Sequence, residues 1–122
     1  MSWSPKSSGL DGYWKLQSAI ARLKGGNPHP GKKIHAWARE AGFDRSRITC
    51  SASVWCFSSL EEREIWSKSM SAVLSGFGSK AVEANPASQE DLKEQAKAWK
   101  HWAQDDDGWY SAVHGEILCR KE

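Results

Sequence analysis

The residues of this 122-residue chain that could hold a metal or move a proton are four histidines, three cysteines and two acidic runs. Five residues separate Cys50 from Cys56, wider than the two to four usual in structural zinc sites. A zinc set of Cys50, Cys56, Cys119 and His114 is therefore not expected. The thiols read as three buried small apolar residues. Their odd number argues against a secreted disulfide framework and for a reducing interior. Asp105, Asp106 and Asp107 lack the further acidic ligands a calcium loop needs and read as a solvated turn. Glu61, Glu62 and Glu64 suit the first turns of a helix, where they complement its dipole.

Gly76, Gly78 and Ala81 match the spacing G-x-G-x-x-A. A phosphate cradle needs a strand before that run, a helix after it and an acidic residue ~20 positions on. Here a helical pattern precedes it, and Lys100, His101 and Trp102 occupy the later positions. A helix-ending turn is the expectation. Among the histidines, His29 lies in a Pro/Gly loop, His35 beside an apolar stripe and His101 on a polar helix face. His114 shares one face of a predicted strand with Tyr110, Ala112, Glu116 and Leu118. No catalytic residue is assigned. His114 is a candidate for a catalytic or substrate role, the alternative being a hydrogen-bonded structural histidine.

Tryptophan is the unusual component, at 8 residues against 3 Phe and 2 Tyr. So many large rings imply a substantial core, a ligand pocket or a missing partner. Spacing assigns Trp37, Trp99 and Trp66 to helix core faces. Trp3, Trp14, Trp55, Trp102 and Trp109 fall in loops, at strand ends or off the stripes. Trp-lined sites hold sugars, flat rings or cations, while packing onto another layer is the plainer reading.

The elements that must position these side chains follow from periodicity. Residues 1–9 read as a loop. Tyr13, Leu16, Ile20 and Leu23 make the apolar face of a helix over 10–24, ended by Gly25 and Gly26. The run 25–31 is too rich in Gly and Pro for regular structure. A second helix over 32–41 would turn Ile34, Trp37, Ala38 and Ala41 inward, with Gly42 as its left-handed terminator. Residues 48–57 alternate as a strand, with Cys50, Ala52, Val54 and Cys56 on one face and Trp55 and Phe57 on the other. Ser59 and Glu62 form a capping box for a helix carrying Ile65, Trp66, Met70, Val73 and Leu74, stopped by Gly76. A short helix closed by Asn85-Pro86 follows, then Ser88 caps a helix over 89–104 with Leu92, Ala96, Trp99 and Ala103 inward. Residues 109–121 close the chain as a second strand.

Composition bounds the class. At 13.6 kDa, 39% hydrophobic and 26% charged residues, the chain is one domain able to bury a core. No apolar run approaches the ~18 residues of a membrane span. The start, MSWSPKSSG, lacks a signal-peptide core, so a cytoplasmic location is expected. A net charge of +2 without a basic block leaves no footprint for nucleic acid. Two strands with a 51-residue connection are too few to cover four or five amphipathic helices. Several apolar faces lack something to cover.

The stretch GGNPHPGKKIHAWAREAGF, followed by ITCSASVWCFSS and EEREIW, and the closing AWKHWAQDDDGWYSAVHGEILCRK together resemble the C-terminal part of class I S-adenosylmethionine-dependent methyltransferases. They are closest to the ubiquinone/menaquinone biosynthesis type and its fungal members. Segments 25–43 and 105–121 carry the resemblance. It implies an α/β chain that is the C-terminal portion of a Rossmann-like fold, roughly its last 40–45% by typical domain size. Its parts would be a loop and helix pair (1–47), a strand (48–57), a helical insertion or lid (58–108) and a last strand (109–121), the strands pairing antiparallel.

In that family the cofactor sits on a glycine-rich loop after the first strand and an acidic residue ending the second. Neither is present here, so the resemblance implies no cofactor-binding residue and little affinity for S-adenosylmethionine by this chain alone. Residues 1–14 and the insertion 58–108 would wall a pocket for a small-molecule acceptor, with Trp3, Tyr13, Trp14, Trp55, Phe57, Trp66 and Met70 as its candidate lining. The exposed sheet edge implies pairing with a missing N-terminal half or a homodimer. Two other readings stay open: a non-catalytic interaction module, and a Trp-rich small-ligand binder.

Overall fold

A computed structural model describes residues 1–83 and 87–121. Among these, four α-helices accompany one three-stranded antiparallel sheet. The order is β1 (Ser2–Ser4), α1 (Ser8–Leu23), α2 (Ile34–Glu40), β2 (Ile48–Phe57), α3 (Leu60–Glu83), α4 (Gln89–Gln104) and β3 (Trp109–Cys119). The last strand is central, flanked by β1 and β2. The expected β2–β3 pair forms over its full length, from Ile48 opposite Cys119 to Phe57 opposite Tyr110. Residues 1–9 are not all loop as expected. Ser2, Trp3 and Ser4 pair with Ser111, Tyr110 and Trp109, because the β3 edge supplies the hydrogen-bond partners that three residues cannot supply alone.

Local chemistry accounts for the helix ends. Ser7 accepts from the Leu10 N–H at the start of α1. Reciprocal capping boxes join Ser59 to Glu62 and Ser88 to Asp91, satisfying amide groups that a helix start leaves unpaired. The Glu62 carboxyl is held below its usual range by N–H groups of Ser58 and Ser59. At the C-terminal ends, α1 and α2 close on glycines with φ of 76° (Gly25) and 107° (Gly42). In each, paired hydrogen bonds fold the chain back: Gly26 to Ala21 and Gly25 to Arg22, then Phe43 to Ala38 and Gly42 to Arg39. This is the left-handed terminator expected of Gly42.

Two helical expectations change. Gly76 does not stop a helix: α3 continues through it to Glu83, and the 76–81 run that resembled a cofactor fingerprint is helical backbone. A mid-helix glycine costs about 1 kcal/mol relative to alanine, and packing of α3 on α4, with Leu74 buried, outweighs it. The short helix expected after Gly76 is the tail of α3, while Asn85 and Pro86 lie outside the described residues. The 25–31 run is irregular except for a 3-10 turn at Pro30–Lys32.

The core joins α1, α3 and α4 to one end of the sheet. Leu10, Tyr13, Leu16, Leu74, Ala87, Trp99, Trp102, Ala103, Tyr110 and Ala112 are its buried members. Trp99 is fully buried as expected, Trp66 is half-buried, and Trp102, expected off the stripe, is buried too. Its indole N–H donates to the Ser4 carbonyl at 3.2 Å, tying α4 to β1. Trp37, expected in a core, is 41% exposed. Of the predicted α2 stripe only Ala38 is buried, because no element among the described residues lies over the rest. Ile65 likewise faces outward, while Val73 lines a cleft beside the core.

The sheet is covered unevenly. On the face of Trp55, Phe57, Tyr110 and Ala112, helices cover the Phe57/Tyr110 end, while Ser51, Glu116 and Leu118 are exposed. On the other face Ile48 is buried beside α2, while Val54 and Val113, directly opposed, are 62% and 70% exposed. The cysteines sit on this second face and correct the expectation of buried thiols. Cys50 and Cys56 are exposed and Cys119 is partly so, since that face lacks a covering layer at their positions. Among the described residues no helix is long and apolar enough to cross a membrane.

Candidate functional site

Tyr110 is the hub of a ring system built from every layer. Its ring lies 5.8 Å from Phe57 at 8° and 6.4 Å from Trp14 at 18°, both stacked. Trp14 stacks in turn on Trp3 at 6.0 Å. Trp66 of α3 closes on Tyr110 at 5.1 Å and on Phe57 at 5.0 Å. Each position follows from its element. Trp3, Tyr110 and Phe57 are cross-strand neighbours on one face, Tyr13 and Trp14 lie on the α1 turn above them, and Trp66 and Met70 are one helical turn apart on α3. Such aromatic pairs contribute about 0.5–1.5 kcal/mol each beyond area burial.

Beside this stack opens a cleft of about 810 Å³, within the ~300–1,000 Å³ of small-molecule sites. Tyr13, Trp14, Trp55, Trp66, Met70 and His114 all line it. The structure therefore brings together five of the seven predicted acceptor residues and the one histidine singled out. Trp3 instead lines two smaller adjoining clefts, and Phe57 supports the wall from behind through Tyr110 and Trp66. The His114 ring packs on Trp55 at 4.2 Å. Its Nδ1, like Nε1 of Trp14 and of Trp66, is buried with no hydrogen-bond partner among the described residues.

Two tyrosines stiffen the inner wall. The Tyr13 hydroxyl donates to the Met70 sulfur at 3.1 Å and accepts from Gln17 Nε2 at 2.8 Å. Burial pushes its pKa up to about 12, and the Gln17 contact offsets a little of that. Burial, then proximity to Tyr13, pushes Tyr110 up as well. Both are neutral rings at physiological pH, suited to an apolar wall rather than to proton transfer.

The outer wall was not expected. Pro28, His29, Pro30, Gly31 and Lys32 lean over the cleft from the irregular loop. What holds them is Gly31 against Gly115: a Cβ on Gly31 would lie 3.1 Å from the Gly115 amide nitrogen, and one on Gly115 would collide with the Gly31 carbonyl. Two glycines 84 positions apart gave no local signal of this contact. Among the described residues Lys32 is the one Lys or Arg in the lining, and no Asp or Glu lines it.

The far side of the insertion is fixed by Arg63, 4% exposed. It donates to the Ala103 carbonyl at 3.0 Å and to the Ser58 carbonyl. This pins the end of α4 to the start of α3 and so sets where Trp66 and Met70 stand. Among the described residues no group of His, Cys, Asp or Glu is arranged to hold a metal. The zinc set considered from sequence is split, with His114 on the sheet face opposite the three thiols.

No family model matches this chain. It is similar to the "Uncharacterized methyltransferase C1B3.06c" of Schizosaccharomyces pombe (strain 972), 31% identical over 109 residues. The match takes in 88% of this chain and 39% of that protein. The chain thus spans well under half the length of the methyltransferase it resembles.

Proposed function

We propose that these 122 residues form the acceptor-side part of a methyltransferase, binding a small apolar or aromatic molecule in the cleft between α1, α3 and β3. The single observation that carries this reading is the convergence of Tyr13, Trp14, Trp55, Trp66 and Met70 on one cleft, in a chain similar over most of its length to a methyltransferase. A mixed α/β fold with an antiparallel edge is in keeping with part of a Rossmann-like enzyme. The ubiquinone-type subfamily belongs to the same proposal and rests on the sequence resemblance alone, and a cytoplasmic location on composition.

Methyl transfer asks chiefly for proximity and alignment. The work of this chain is then to seat the acceptor against rigid rings and exclude water from it. The family's cofactor is S-adenosylmethionine, and the described residues do not fit it: the one glycine run with suggestive spacing is interior to α3, its amides committed to the helix. No step is assigned through the cofactor, and its binding is assigned to residues beyond these 122. His114 stands at the cleft wall as a polar contact for the acceptor.

Calorimetric titration of the chain with S-adenosylmethionine tests the assignment. No heat of binding at micromolar concentration is expected. Micromolar affinity would contradict an acceptor-side part without a cofactor site.

A second reading has its own observation. Val54 and Val113, directly opposed on one face in the middle of the β2–β3 ladder, are 62% and 70% exposed, as in a surface that joins another chain. As a non-catalytic module the chain would associate through that sheet, with itself or with a cofactor-binding half. Light scattering after size exclusion separates the two: a sharp 13.6 kDa monomer counts against self-association.

A further inference from the structure

Resting on the reading of the cleft as an acceptor site, we propose that its ligand is a flat apolar molecule bearing an acidic group, with Lys32 as its charge partner. The charged side chains of the lining are one-sided: among the described residues Lys32 is present and no carboxylate is, with the imidazoles of His29 and His114 beside it. An anion entering an apolar-walled cleft gains from a lysine at the mouth, whereas a cationic amine meets like charge and no counter-ion.

Aromatic walls attract cations only through their ring faces. Here several of those faces are already stacked: Trp14 on both Trp3 and Tyr110, and Tyr110 also on Phe57. Trp55 and Trp66 meet edge to face at 87°. The flat body of the ligand would pack on what these rings leave open, and its acidic group would lie at the loop.

The position of Lys32 is built in. The turn Pro30–Lys32 is closed by the Lys33 N–H donating to the Pro30 carbonyl at 2.9 Å. The backbone contact of Gly31 with Gly115 then fixes that turn over β3. Lys32 and His29 are therefore presented at the cleft by backbone packing, their side chains making no hydrogen bond or ion pair among the described residues, which leaves their donors for a ligand.

The test is calorimetric titration with three ligands of one shape: naphthalene-2-carboxylate, the neutral 2-carboxamide and 2-naphthylmethylammonium. At low salt the carboxylate is expected to bind about fivefold tighter than the amide, and the ammonium weakest. Raising salt narrows the gap. Lys32→Gln removes the preference without weakening the amide, and Lys32→Arg retains it. Equal affinities, a preference for the ammonium, or a preference that survives Lys32→Gln would overturn the acidic ligand while leaving the cleft as an acceptor site. Failure of all three to bind would overturn both.

Discussion

Gly31 and Gly115 touch backbone to backbone, and that contact forms the outer wall of the cleft. A Cβ at Gly115 would collide with the Gly31 carbonyl, and rigid backbone cannot yield as a flexible side chain would. Gly115→Ala is expected to lift the 28–32 loop and to cost about 1–3 kcal/mol, the usual range for overpacking. Urea denaturation measures the loss.

Gly76→Ala should do the opposite. Gly76 is inside α3 with nothing within 4 Å of a built Cβ, so alanine adds helix propensity without a clash. A gain of about 0.5–1 kcal/mol is expected. A loss would show that Gly76 terminates the helix after all.

Two tryptophans with similar sequence patterns should behave differently. Trp99→Ala empties a fully buried position and is expected to cost about 3–5 kcal/mol, a large share of a domain's ordinary stability. Trp37→Ala, at a 41% exposed site, should fall within about 0.5 kcal/mol of the parent. Thermal melts of the two variants distinguish them.

The legible part of the fold was what short-range chemistry encodes. Ser88, with Asp91 three residues on, capped α4 where expected, and the alternation of 48–57 gave β2 and its partner. The family resemblance groups Tyr13, Trp14, Trp55, Trp66 and Met70, which line one cleft, whereas amphipathic spacing alone places Trp66 on a core face and leaves Trp14 off the stripes. What spacing could not show was which faces find a cover. Trp37 lies on a proper stripe but nothing packs over it, while Trp102, off its stripe, is buried because Ser4 accepts its N–H. The three-residue β1, the Arg63 brace and the Gly31–Gly115 wall all join residues distant in sequence.

Alkaline pH should destabilise the fold through its tyrosines. The chain has 2 Tyr, and both have raised pKa values from burial. A raised native pKa means the unfolded chain ionises first, near pH 10. Stability is therefore unaffected below about pH 10 and falls as pH rises toward the native value of about 12 for Tyr13. Phenolate absorbance and far-ultraviolet circular dichroism, followed together, should change in one transition. Phenolate appearing near pH 10 with helicity intact would contradict the buried placement.

The thiols give a quick check on the open face of the sheet. Cys50 and Cys56 are exposed, so a chromogenic disulfide reagent should titrate those two fast in the native protein, with Cys119 slower. Slow reaction of all three would indicate that the face is covered in solution.

The most direct test of the central claim is where a ligand binds. The chain has 8 tryptophans, each giving an indole N–H signal in a two-dimensional proton–nitrogen spectrum. Titration with a naphthalene carboxylate is predicted to shift the signals of Trp14, Trp55 and Trp66, which line the cleft, and to leave those of Trp37 and Trp109 in place. Shifts centred on Trp37 or Trp109, or none at all, would contradict the assignment of the cleft as the acceptor site.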